Sequence, residues 1–289
     1  MKNFVLPILT ALLLPLQACA TKYSAEPIQA RVVDAETKQP LEGVNVVANW
    51  QLEGGLEGGT NLGQMMVMET VTDSAGQFSF PAWGPKAIPS GYPLEYQNAR
   101  LKDMDPQLLL FKSSYKYLAL YNRKTAEQMR GKGPSVRTSD WNGKTIEMRR
   151  FTWFKWNLEQ YAGDLIHLNG FLEVVAILNP VELPRDHCKW KKIPLMILAT
   201  YKQNEIFKAA NITVPYWGLP LELYDRLLSD EKYYAEQGCG SVKGFLGGMR
   251  NGAQMANFFR TGTLMAYISW MGLYETWACC PYGQDFLDE

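Results

Sequence analysis

Five cysteines are the residues of this chain whose side chains could form covalent bonds, and they fall into two groups. Cys19 stands alone near the start; Cys188, Cys239, Cys279 and Cys280 all lie in the second half. An even set of four in an exported protein reads as two disulfides. Neighbouring α-carbons are about 3.8 Å apart, too close for an unstrained bond, so Cys279 and Cys280 are each expected to reach Cys188 or Cys239. A zinc site using His187 beside Cys188 is the weaker alternative, because no C-x-x-C pair accompanies them. No metal or cofactor is expected.

Other reactive residue types form no recognisable constellation. The two histidines, His167 in a helical pattern and His187 in a loop, belong to no H-E-x-x-H run and follow no G-x-S-x-G elbow. Carboxylate pairs such as Asp103 with Asp105, or Glu182 with Asp186, could act as acid and base only if the fold made them face one another. Gly54, Gly55, Gly58 and Gly59 lack the following Lys-Ser or Lys-Thr of a phosphate cradle and read as a connector. Aromatics cluster at Phe151, Trp153, Phe154, Trp156 and Tyr161 among Arg149, Arg150 and Lys155. Trp153, Trp156 and Tyr161 could form a surface for stacking a sugar or meeting a headgroup, while the plainer reading is a seam between two halves of the fold.

Cys19 has a context of its own. Lys2 precedes an apolar run from Phe4 to Leu16, and small residues follow at Ala18 and Ala20, the pattern of a secretory signal. The run is shorter than the roughly 20 residues a membrane span needs and is interrupted by Pro7 and Pro15. Leu16, Gln17, Ala18 and Cys19 resemble the bacterial lipobox, with Gln17 where a smaller residue is usual. That resemblance implies cleavage before Cys19, a diacylglycerol thioether on its sulfur and an acyl group on its amine. Ala20 in place of Asp implies the outer membrane rather than the inner, with the body facing the periplasm.

Basic and acidic residues number 29 each, so no long-range field favours nucleic acid or a polyanionic substrate. Once the first 18 residues are removed, the chain is long enough for one large core or two smaller ones. The reading is α+β: segments 1–18 signal, 19–26 tether, 27–151 a β-sandwich, and 152–289 mainly helical with disulfides.

Short alternating strands dominate the first half. Ile28, Ala30 and Val32 share one face; Val44, Val46 and Ala48 make a second run, and Val67 to Val71 a third. Thr72 to Gly76 has the residues of a tight turn into Phe78 and Phe80. Ile28 to Asp34, Pro40, Leu41, Gly43, Val44 to Val46, Thr72, Asp73, Gly76, Phe78 and Phe80 resemble the carboxypeptidase regulatory-like domain, an antiparallel transthyretin-like β-sandwich. The match covers 27–82, with Ala30 where glycine is common and Gln51 to Gln64 as an enlarged loop. Residues 93–121 and Lys144 to Phe151 would supply the remaining strands. In relatives the module accompanies catalytic domains or receptors and carries no active site, which implies a binding or scaffolding role.

Beyond Phe151 the period lengthens. Leu165, Leu168, Phe171, Leu172, Val175 and Leu178 predict a helix over 164–179, capped by Asp164 and stopped by Pro180. Further helices are expected from Pro194 to about Ala210 and from about Pro220 to Gly238. A fourth, Ser241 to Arg260, would carry Gly244, Gly248, Gly252 and Ala256 on one face, suited to close approach of another backbone.

The functional expectation is an anchored envelope lipoprotein with a protein partner and no nucleic acid. Two alternatives stand beside it: a hydrolase acting on an envelope polymer, and a glycan-binding module built on the aromatic cluster.

Overall fold

The computed structural model describes residues 22–55, 59–122, 138–151, 155–177, 179–209 and 223–250. Among the described residues ten strands precede five α-helices, an α+β composition. The strands are β1 (Lys22–Ala25), β2 (Ile28–Asp34), β3 (Asn45–Gly54), β4 (Thr60–Val71), β5 (Gln77–Phe80), β6 (Trp83–Ala87), β7 (Arg100–Leu101), β8 (Gln107–Phe111), β9 (Leu118–Leu120) and β10 (Thr145–Met148). The helices are α1 (Lys155–Ala176), α2 (Pro194–Ala209), α3 (Leu223–Ser229), α4 (Glu231–Glu236) and α5 (Val242–Arg250).

Three sheets form. The largest has the order β4-β3-β8-β9, with β7 added to the end of β3; the second is β10-β2-β5, and β1 pairs with β6 as a ribbon. Ladders are antiparallel apart from β10 against β2, which is parallel. An all-antiparallel arrangement is therefore corrected at that strand: the chain returns to the sheet after the long excursion through β3 to β9, so β10 can enter in the direction of β2.

Burial follows position in the layers. In β5 and the first half of β2 alternate residues are buried, as in strands with one wet face. Through most of β3 every residue is buried, because the large sheet is covered on both sides. Val46, Ala48, Trp50, Leu52, Leu108 and Leu110 share a core with Ile28, Val32, Phe78, Phe80, Ile146 and Met148 of the facing sheet. Val47, Val67, Val71, Leu109 and Phe111 join a second core with Leu165, Leu168, Leu172, Trp190, Ile197, Leu227 and Leu246 from the helical side. The order is sheet, sheet, helices.

The expected turn is present. Asp73 Oδ1 accepts the N–H groups of Ala75 at 3.0 Å and Gln77 at 2.8 Å, and Gly76 takes a left-handed φ of +71°. The enlarged loop over 51–64 is not observed: β3 continues to Gly54 and β4 starts at Thr60, so most of that stretch is paired as a hairpin. Its glycines concealed the strand. Gly63, at φ +109°, is where Glu182 crowds the backbone, and a Cβ there would lie 2.3 Å from Glu182 Cγ.

α1 starts nine residues before the expected cap at Asp164, which stands inside the helix and makes no N-cap. Its buried stripe is the predicted one at Leu165, Leu168, Leu172 and Val175. α2 spans Pro194–Ala209, close to its expected limits. In place of the single helix anticipated from Pro220, the described residues hold two shorter ones, α3 and α4, separated at Asp230 and closed by Gly238 with φ +77°. In α5 the buried face is Val242, Leu246 and Met249, whereas Gly244 is exposed and, among the described residues, no other element approaches it. Gly252 and Ala256, and with them most of the expected small-residue face, lie outside the described residues.

Candidate functional site

A small cleft lies where the β1–β6 ribbon meets the large sheet. Tyr23, Ser24 and Ala25 from β1, Trp50 from β3 and Trp83 from β6 form one side; Leu101, Met104, Asp105 and Ser139 form the other. Its free space of about 10 Å³ is the size of one water-sized polar group.

Local structure explains how an acid comes to stand there. Asp103 and Met104 hold left-handed φ values of +52° and +58°, uncommon for non-glycine residues, and turn the chain so that Asp105 faces inward before β8 begins. Asp105 is 5% exposed. One carboxylate oxygen accepts the Ser139 hydroxyl; the other accepts Asn122 Nδ2 at 2.7 Å and the Asp140 N–H at 3.0 Å. Burial pushes the acid above the usual carboxylate range despite those donors. Trp50 and Trp83 meet edge to face, centroids 5.6 Å apart. Among the described residues the Trp83 indole N–H is buried with no acceptor, so it is an unspent donor at the site. Gly84, at φ +109°, lets β1 come close enough to shape the wall, since a Cβ there would stand 2.5 Å from Ser24 Oγ. The cleft can thus offer one donor, a partly spent acid and aromatic walls to a small polar group.

The residues singled out in the sequence are distributed differently. Cys188 and Cys239 are bonded to each other, S–S 2.03 Å and Cα–Cα 5.4 Å, which corrects the expectation that each would pair with Cys279 or Cys280. The turn that ends α4 at Gly238 delivers Cys239 to the loop holding Cys188, so the bond closes within the helical layer. His187 Nδ1 lies 2.7 Å from the Tyr233 hydroxyl. Among the described residues no group of three His, Cys, Asp or Glu side chains could hold a metal ion, and no helix is long and apolar enough to cross a membrane.

The expected lipid site Cys19, together with Cys279, Cys280 and Trp153, lies outside the described residues. Trp156 and Tyr161 fall on the first turns of α1, with their side chains also outside that description. Phe151 is buried between sheet and helices, 3% exposed, with Lys116 Nζ 5.8 Å from its ring centre.

Glu182 and Asp186 are each paired with a lysine. Asp186 binds Lys192 at 2.6 Å, and Glu182 binds Lys189 at 2.6 Å while accepting the Gln64 and Asn179 N–H groups, each at 3.3 Å. Glu69 lies half-buried beneath the start of α2. It accepts the N–H groups of Leu195 at 2.9 Å and Met196 at 2.6 Å, supplying from the sheet the cap that Ile193 and Pro194 cannot provide. Burial raises its acid to about 8 against the pull of those two donors.

Sequence reasoning missed Glu69 and the assembly around Asp105. An acid between Val67 and Val71 on one face of a strand was a usable signal for the first. Ser139 and Asn122 lie too far from Asp105 along the chain for spacing to reveal the second. Comparison with protein-family models and with curated proteins finds no match.

Proposed function

We propose that the chain is an envelope lipoprotein, cleaved before Cys19, lipidated on that residue and facing the periplasm, with the outer membrane favoured by Ala20. In this reading residues 27–151 are a carboxypeptidase regulatory-like, transthyretin-like sandwich, and the helical layer behind it is stapled by a cystine. Its role is binding or scaffolding, with an envelope protein as partner and the end cleft as a place for a small polar group of that partner.

The observation that carries the reading is the Cys188–Cys239 bond, because a structural cystine fits export to an oxidising compartment and the lipobox is the export signal of the same chain. The state of four hydrogen-bonded acids favours binding over proton transfer. Asp34, Glu69, Asp105 and Glu182 each accept two or more hydrogen bonds that hold the fold. A general acid or base needs a lone pair or proton directed at substrate, and these carboxylates direct theirs at the protein.

Photocrosslinking in cells, with probes placed at the cleft rim and mass spectrometry of the products, tests the role. A reproducible envelope protein crosslinked at the rim is the expected result. Recovery of abundant bystanders alone removes the support for a scaffolding function.

A further inference from the structure

The first strand starts very close to the proposed anchor. Three α-carbon steps separate Cys19 from Lys22, the first residue of β1, so about 11 Å is the greatest distance between their α-carbons. The headgroup layer of one leaflet is itself about 5–8 Å deep. A lipid on Cys19 therefore keeps the start of β1 within about 3–6 Å of the bilayer surface.

The ribbon that begins there has a matching charge. Its sequences, Lys-Tyr-Ser-Ala in β1 and Trp-Gly-Pro-Lys-Ala in β6, contain Lys22 and Lys86 as their charged residues and no acid. Lys22 pairs with Ala87, and Tyr23 pairs with Lys86. Partners across a ladder share a face, so the two lysines flank the ribbon on opposite faces at the end from which the tether leaves. Both are exposed. Lys192 adds positive potential on the Lys86 side, since burial first and Lys192 second hold the Lys86 ammonium below its usual range. The nearest acid along β1, Glu26, is at the far end and accepts the Thr138 hydroxyl.

From this placement we infer that the tether end of the β1–β6 ribbon sits on phospholipid headgroups, with Lys22 and Lys86 on either side of it against lipid phosphates. The inference rests on lipidation of Cys19 as proposed above. It sets the orientation of the whole body: the turn after β2 at Thr37 points away from the bilayer, and the cleft lined by Tyr23, Ser24 and Ala25 opens near the headgroups.

The test uses the full lipidated chain in vesicles containing phosphatidylglycerol, with a benzoylphenylalanine probe at Ala87 or at Thr37. Intact mass first reads the lipid on Cys19. Lipid adducts several-fold more abundant at Ala87 than at Thr37, and reduced several-fold when Lys22→Glu and Lys86→Glu are combined, support the orientation. Lipid on Cys19 with equal adducts at both probes, or with no dependence on the two lysines, overturns the docking and leaves the lipoprotein reading intact. A mature chain with no lipid mass on Cys19 removes both.

Discussion

Lys189 Nζ lies 2.6 Å from Glu182 Oε2, and both side chains are almost wholly buried, at 1% and 5% exposed. The pair joins the segment after α1 to the loop entering α2. The carboxylate also reaches the β4 backbone at Gln64, so helices and large sheet are tied at one point. Burial lowers the Lys189 ammonium from its usual range while Glu182 draws it back up.

Breaking this pair should cost more than forming it contributes. Lys189→Met leaves a buried carboxylate without its cation, and a loss of about 3–5 kcal/mol is expected by urea denaturation. Gly63→Ala should lower the unfolding midpoint as well, because its Cβ would occupy the space of the Glu182 side chain. Unchanged midpoints in both variants would show that the knot is not structural.

Glu69 gives the fold a pH dependence of definite sign. Its folded pKa of about 8 lies above the ordinary 4.5, so the folded chain holds a proton that the unfolded chain releases. Stability from this group is complete below pH 4.5 and is lost as pH rises through about 8. Glu69→Gln should flatten that decline across the same window, read as the slope of denaturation midpoint against pH. A parallel slope in the variant would assign the dependence elsewhere.

Where the sequence was readable, burial on one side was the reason. The alternating residues of β2 and the i, i+3, i+4 stripe of α1 were recognisable because each has one wet face. β3 was read short although Val46, Ala48, Trp50 and Leu52 alternate with Asn45, Asn49 and Gln51, because the glycines at 54, 55, 58 and 59 carry the signal of a loop. Cap and cleft were illegible for a different reason. Glu69 reaches α2 across more than a hundred residues of chain, and Asp105 gathers donors from two separate segments. Such contacts come from topology, which local spacing does not encode.

The Cys188–Cys239 bond closes a separation of 51 residues, enclosing α2, α3 and α4. Chain-entropy reasoning puts the stabilisation from such a loop at about 2–4 kcal/mol. Replacing both cysteines by serine should lower the unfolding midpoint by a corresponding amount, and reductant should do the same to the parent chain. Peptide mapping without reduction is expected to recover Cys188 joined to Cys239. Either one recovered with Cys279 or Cys280 instead would refute the pairing.

A second pH response, opposite in sign, comes from Asp34 at the end of β2. Its carboxylate accepts the Thr37 and Glu36 N–H groups at 2.9 Å each and the Tyr115 hydroxyl at 2.9 Å. The Thr37 N–H is the largest cause of an acid held at about 2, below its ordinary 3.8; burial opposes the shift, and Tyr115 and the Glu36 N–H add to it. The folded chain therefore releases this proton more readily than the unfolded chain, so the stabilisation is present above pH 3.8 and is lost as pH falls through about 2. Asp34→Asn should remove that acid-side loss and lower stability at neutral pH, where the charged acceptor is strongest. Tyr115→Phe removes one neutral donor and should cost about 1 kcal/mol. The two variants thus separate charge from hydrogen bonding. A parent-like acid transition in Asp34→Asn, followed by circular dichroism from pH 5 to about 2, would assign the transition to other carboxylates.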